Sequence, residues 1–221
     1  LVVESREEDW QGSTGMALHL DLGAAMYDAK TLRQNLGTGR LDNINAMLKR
    51  NGSAVQLDGQ AHMAPWMAYV LVATDYTMPG YTMDTCVDML FINAAKQQQK
   101  PVQALETLEP ILVFKRIPDA VVLRGLDASL ANDGAEQLEQ VQMLKLYHQG
   151  RSRELVDKIL DVDGNLRYLP KQDHGFWRQW LFGDLLQQRN SRWLPKINRQ
   201  IKQQPSTVAV GVAHLFGGSG L

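Results

Sequence analysis

His214 is the side chain around which chemistry in this sequence is most simply built. It follows Thr207 to Val212, a short β-branched apolar run entered after Pro205 and closed by Gly217-Gly218-Ser219-Gly220, which predicts a core strand and then a turn. In open α/β sheets ligands gather at the carboxyl ends of strands, so an imidazole just past such a strand stands where proton transfer or ligand contact takes place. Two carboxylates repeat the placement. Leu1-Val2-Val3-Glu4 reads as a buried strand ending on Glu4, and Pro101 to Leu105 as a short strand followed by Glu106-Thr107. With His214 as general base oriented by Glu4 or Glu106, such a set activates water without a cofactor. The competing reading makes His214 a core residue whose ring nitrogens are satisfied by backbone groups, and both readings stay open at this point.

The elements that must position these groups follow from periodicity and breakers. Thr31 to Leu36 and Leu41 to Leu48 have helical spacing, divided by Gly37-Thr38-Gly39 and ended by Asn51-Gly52. From Met63 to Val72 the residues are apolar nearly all round, and Pro65 in a first turn favours a helix. Met78-Pro79-Gly80-Tyr81 is a loop. Asp84 to Lys100 carries Val87, Leu90, Phe91 and Ala94 at amphipathic-helix spacing and feeds directly into the strand before Glu106. A helix running into such a strand is the pattern of a parallel sheet. Between Leu108 and Gln204 the pattern is helical: Leu108 to Lys115, Pro118 to Leu130, Ala135 to His148, Arg151 to Leu160 and Gly175 to Gln204, punctuated by Gly134, Gly150 and Gly164-Asn165.

The expected fold class is therefore α/β: a central parallel or mixed sheet flanked by helices, with a large helical insertion at about 108–204 before the last strand, in one domain covering 1–221. Trp177, Trp180, Phe182 and Trp193 form an aromatic stripe at helical spacing, which reads as packing. Arg189 among them reads as half of a surface ion pair.

Composition excludes several classes. The chain has 24 acidic and 23 basic residues, so no net field draws it to nucleic acid or an anionic bilayer. No apolar run approaches the roughly 20 residues of a membrane span. No signal peptide is recognisable in the chain as given. Cys86, in a predicted helix, is the only cysteine, which rules out an internal disulfide and a cysteine zinc site. Walker loops, nucleophile elbows and His-Glu-x-x-His are missing, and Gly217 to Gly220 reads as a turn rather than a phosphate loop. Glu7-Glu8-Asp9 reads as a solvated loop. The opening on an apolar strand and the stop after a glycine turn suggest that both ends are cut.

Four segments, taken in order, carry a resemblance: Tyr81-Thr-Met-Asp84; Lys100-Pro-Val-Gln-Ala-Leu-Glu-Thr107; Gln188-Arg-Asn190 with Trp193 and Ile197; and Val208-Ala-Val-Gly-Val-Ala-His-Leu215. Together they resemble the TraB/GumN family, which includes the bacterial pheromone-shutdown proteins and is related to the animal Tiki proteases that act on Wnt. The resemblance spans nearly the whole chain. It implies an α/β fold similar to the erythromycin esterase and haem-binding ChaN group, and an exported, periplasmic or cell-envelope protein. The Tiki branch uses paired Gly-x-x-His motifs with acidic and arginine residues for metal-dependent peptide cleavage. Gly211-Val212-Ala213-His214 matches the second of these, Glu4 takes the carboxylate position after the family's second strand, Glu106 the one in its Leu-Glu-Thr motif, and Arg189 the arginine before Asn190. The first Gly-x-x-His belongs upstream of Leu1. Gly59-Gln60-Ala61-His62 has the spelling but follows Asp58 in a polar loop, and reads as a chance match.

What the resemblance implies chemically is a divalent ion (manganese, cobalt or zinc) on His214, Glu106 and Glu4, lowering the pKa of bound water toward roughly 7 and polarising a carbonyl. Glu4 is then a ligand or the general base, and Arg189 meets developing oxyanion charge. The expected activity is metal-dependent hydrolysis of a peptide or small amide. The alternative is a non-catalytic module that sequesters a peptide or haem-type ligand. The two differ in whether an incubated peptide is cut or retained intact.

Overall fold

The computed structural model describes residues 1–5, 23–74, 87–107, 109–218 and 220–221. The loops expected at Glu7-Glu8-Asp9 and Met78 to Tyr81, the Tyr81 to Asp84 segment and Cys86 lie outside the described residues. The chain divides into two compact units. One comprises Leu1–Ala24, Met78–Val113 and Phe182–Leu221, and the other Ala25–Thr77 and Phe114–Leu181. Most described residues are helical, and the sheet is small.

That sheet lies in the first unit. Its three strands are β1 (Val2–Val3), β2 (Gln103–Ala104) and β3 (Val208–Ala209), in the order β2-β1-β3. Both pairings are parallel, with Val2 opposite Gln103 and Val208, and Val3 opposite Ala104 and Ala209. A central strand covered on both faces should be apolar throughout, and Val2 and Val3 are both buried. Val2, Leu105 and Trp193 form a core cluster, with Ile197, Val208, Val210 and Leu221 packed against it. Because the strands are parallel, their carboxyl ends share one edge. Glu4 leaves β1 at that edge, Glu106 leaves β2, and the segment carrying His214 leaves β3. Topology, rather than sequence proximity, brings them together.

The strand expected over Thr207 to Val212 is shorter in fact, because after Ala209 the chain turns into a 3-10 segment, Val212–His214. Helix α4 (Val87–Gln97) also departs from expectation. Its buried residues are Ile92 and Ala95, whereas Val87, Leu90, Phe91 and Ala94 are exposed. Periodicity finds an apolar stripe but does not say which of two neighbouring stripes meets a partner.

In the second unit, α1 (Leu32–Leu36) starts at a Thr31 capping box, and Gly37, at φ +80°, ends it before α2 (Thr38–Arg50) begins. Helix α3 (Pro65–Ala73) has its proline at the start, where the missing N–H costs nothing. Glu109–Arg116, expected as a helix, begins in the first unit and passes into the second at Phe114; it is a 3-10 segment in which Pro110 supplies no backbone N–H. The two helices expected around Gly134 are one, α5 (Asp119–His148), since a glycine weakens a helix interior without ending it. Gly150, at φ +66°, follows its end. Two shorter helices come next, α6 (Ser152–Leu160) and α7 (Val162–Leu166), so Gly164-Asn165 lies inside a helix rather than between two. After the 3-10 segment Lys171–Asp173 comes α8 (His174–Arg178). Trp177 meets Tyr69 and Trp180, and Trp180 meets Phe114, with ring centroids 4.8–5.5 Å apart, so these aromatics pack as expected. The chain continues as a π-helical stretch, Gln179–Gln187, which from Phe182 on belongs to the first unit, as does the helix that follows it, α9 (Gln188–Gln203). No helix among the described residues is long and apolar enough to cross a membrane.

Candidate functional site

Arg189, in the first turn of α9, lies where the three strand-end segments meet. Its guanidinium has five N–H donors, and the geometry accounts for all of them. Nε donates to Glu106 at 3.0 Å to Oε1 and 3.2 Å to Oε2, and one terminal nitrogen donates to Glu106 Oε1 and, at 2.7 Å, to Glu4 Oε2. The other terminal nitrogen donates to the carbonyl of Leu185 in the π-helical stretch at 3.3 Å and faces His214 Nε2 at 3.3 Å. The face of the guanidinium lies 4.6 Å from the Trp193 ring. The Arg189 side chain is 13% exposed and Glu106 is 12% exposed, so the ion pair expected at the surface is buried. Burial works against the arginine's charge, but hydrogen bonding and attraction to Glu106, then to Glu4, outweigh it and leave its pKa raised.

The other partners fix each group in turn. Glu106 Oε2 also accepts Trp193 Nε1–H at 3.0 Å, and Glu4 Oε1 accepts the backbone N–H of Gly211 at 2.7 Å. A Cβ on Gly211 would lie 3.3 Å from that Glu4 oxygen, tighter than side chains ordinarily pack, so glycine suits the approach. From Gly211 the 3-10 turn brings His214 back, its N–H donating to the Gly211 carbonyl at 2.9 Å. This gives a physical reading of Gly211-Val212-Ala213-His214: the glycine docks on a carboxylate, and one turn later the imidazole returns to the same place.

His214 is buried, with its ring 4.5 Å from that of Trp193. Asn190 Nδ2 donates to the His214 carbonyl at 3.2 Å, which orients the amide so that its Oδ1 faces His214 Nδ1 at 2.7 Å. A carboxamide oxygen only accepts and a guanidinium only donates. Nδ1 therefore carries the proton, and Nε2 presents a lone pair toward Arg189. Burial lowers the His214 pKa first of all; the charge of Glu4 pulls it back up and that of Arg189 presses it down, and the net direction is down. The net shift favours the neutral ring.

Glu4, Glu106, Arg189 and His214, drawn from chain positions up to 210 residues apart, thus form one cluster. One orientation differs from expectation: Asn190, not Glu4 or Glu106, holds the imidazole. Asn190, Trp193, Lys196, the Gly211 N–H and the Leu185 carbonyl are participants that the residue-by-residue reading did not single out for the site. Lys196 Nζ donates to the carbonyl of Leu105 at 2.5 Å, at the end of β2. A usable signal existed, because residues 189, 193 and 196 fall at i, i+4 and i+7 on one helix face. His62 of Gly59-Gln60-Ala61-His62 belongs to the second unit, where Nδ1 meets the Asp28 carbonyl at 3.1 Å and the ring stacks on Tyr27.

The donor chemistry of His214, Glu106 and Glu4 suits a borderline divalent ion, but their arrangement does not fit one. All three are turned toward a guanidinium, and among the described residues no group of three or more His, Cys, Asp or Glu is disposed to hold a metal.

The TraB/PrgY/gumN family model matches residues 1–221. The chain belongs to the TraB/PrgY/gumN family. Within it, the chain is similar to the uncharacterized protein YbaP of Escherichia coli (strain K12), with 28% identity over 192 residues, which are 85% of this chain and 65% of YbaP. The YbaP protein of Shigella flexneri matches with the same identity and coverage. The chain thus spans a little under two thirds of the length of these TraB/PrgY/gumN relatives. No solved structure matches.

Proposed function

We propose that this chain carries the hydrolytic site of an enzyme that cleaves a peptide or small amide in the periplasm or cell envelope. The observation that carries the reading is His214 held by Asn190 as a neutral Nδ1–H imidazole, its Nε2 lone pair aimed into the Glu4–Arg189 cluster. Of the Arg189 contacts, the 3.3 Å approach to Nε2 is among the longest, so a water entering beside it meets a base and a fixed positive charge together. Nε2 takes a proton from that water as its oxygen adds to the substrate carbonyl, and Arg189 stabilises the resulting oxyanion. The imidazolium then gives the proton to the leaving nitrogen as the C–N bond breaks, with the Glu4 carboxylate favouring the charged ring in between. In this reading the helical stretch at about 108–204 is an insertion within one TraB/GumN-like domain. The second reading, a module that holds a peptide or haem-type ligand without cutting it, is favoured by the closed state of the cluster, in which every Arg189 donor is already engaged.

Incubation with a mixed peptide library followed by mass spectrometry tests the proposal. Cleavage products that fall by about 100-fold or more in His214→Gln support hydrolysis. Intact, retained peptide with no products supports the binding module instead.

A further inference from the structure

We infer that Arg189 is the resident cation of this site, occupying the place that a divalent ion would take and setting the site against metal. The inference stands on the geometry alone and does not depend on the reaction proposed above. Two carboxylates and an imidazole lone pair are all directed at one guanidinium, and the same guanidinium lies on the Trp193 ring. An ion entering among these donors has to break the hydrogen bonds of Arg189 to Glu4 and Glu106 and then sit beside a displaced positive charge that is largely out of water. The site therefore does not gain a cation when metal is added; it exchanges one for another, and the incumbent is covalently tethered at high effective concentration. Removing the charge reverses the preference. Glu4, Glu106 and His214 then supply two oxygens and one nitrogen with no internal counter-ion, a donor set suited to manganese or cobalt.

The test is calorimetric titration with MnCl2 and CoCl2, paired with thermal melts with and without the ion. Arg189→Met keeps much of the side-chain volume and Arg189→Lys keeps the charge. Wild type and R189K are expected to give no saturable heat, whereas R189M binds at least about tenfold more tightly than wild type and melts at a higher temperature with the ion than without it. His214→Ala added to R189M removes both effects. Saturable binding by wild type as tight as that of R189M overturns the inference, as does folded R189M that neither binds nor gains stability. Should R189M not fold, the wild-type and R189K titrations decide: no saturable binding in either supports the inference, and binding in either that is lost on Glu106→Gln overturns it. Peptide cleavage is not read in any arm, so failure here and failure of the hydrolase reading are distinguishable.

Discussion

Glu106→Gln is the substitution with the clearest calculable cost. The carboxylate receives Arg189 Nε and a terminal guanidinium N–H on one side and Trp193 Nε1–H at 3.0 Å on the other, so every group facing it is a donor. An amide of the same shape has one oxygen to offer and turns an NH2 toward either Arg189 or Trp193. Removing one partner of a buried ion pair costs about 3–5 kcal/mol; because Arg189 keeps Glu4, the lower end, about 3 kcal/mol, is expected. For a chain of this size that corresponds to a fall in melting temperature of roughly 6–12 °C. Glu4→Gln provides the internal comparison. The Glu4 side chain is 30% exposed against 12% for Glu106, so solvent compensates part of its loss, and about 1–2 kcal/mol is expected. Thermal melts followed by circular dichroism at fixed pH give both numbers. A Glu106→Gln protein that melts within about 2 °C of wild type, less than 1 kcal/mol, refutes the reasoning, as does a larger loss for Glu4→Gln.

Two predictions concern pH. The Glu136 carboxyl is pushed up to about 7 from its ordinary 4.5 by burial, with the charges of Asp133 and Glu139 adding to it. Its native-state pKa lies above the unfolded one, so it is at its most favourable below pH 4.5 and loses stability as pH rises through 7. Glu136→Gln should leave the melting temperature nearly unchanged at low pH and raise it above pH 7, where the gain in stability is at most about 3 kcal/mol and less with solvent screening; an unchanged pH profile is the contrary result. His214 shifts the other way, since its native pKa is lowered from 6.5. The unfolded chain takes up the proton first, so stability is fully present above pH 6.5 and declines as pH falls from there toward the native pKa. Melts of wild type against His214→Gln should diverge in that window, and parallel curves contradict the shift.

The sequence was most informative where a single rule governed position. Apolar runs ending on Glu4 and Glu106 marked strands, and parallel pairing then required their ends to share an edge with the segment leading to His214. What it left hidden depended on partners distant along the chain. Arg189 looks like a surface residue until two strand ends deliver their carboxylates to it, and Trp193 looks like core packing because it is that as well as a donor to Glu106. Asn190 became legible only through the return of the 3-10 turn, which no periodicity predicts. In the helices, Val87, Leu90 and Phe91 misled because an apolar stripe indicates only that a face could be covered.

The proposed hydrolysis requires His214 to be a neutral Nδ1–H imidazole whose unprotonated Nε2 faces Arg189. Nitrogen-15 NMR of the side-chain nitrogens reports this directly, through the shifts of the two ring nitrogens and their couplings to the ring protons. At pH 7 the expected spectrum has a protonated Nδ1 and a bare, imine-like Nε2 for His214, with the preference weakened in Asn190→Ala. A His214 that is doubly protonated at that pH, or that carries its proton on Nε2, contradicts the account.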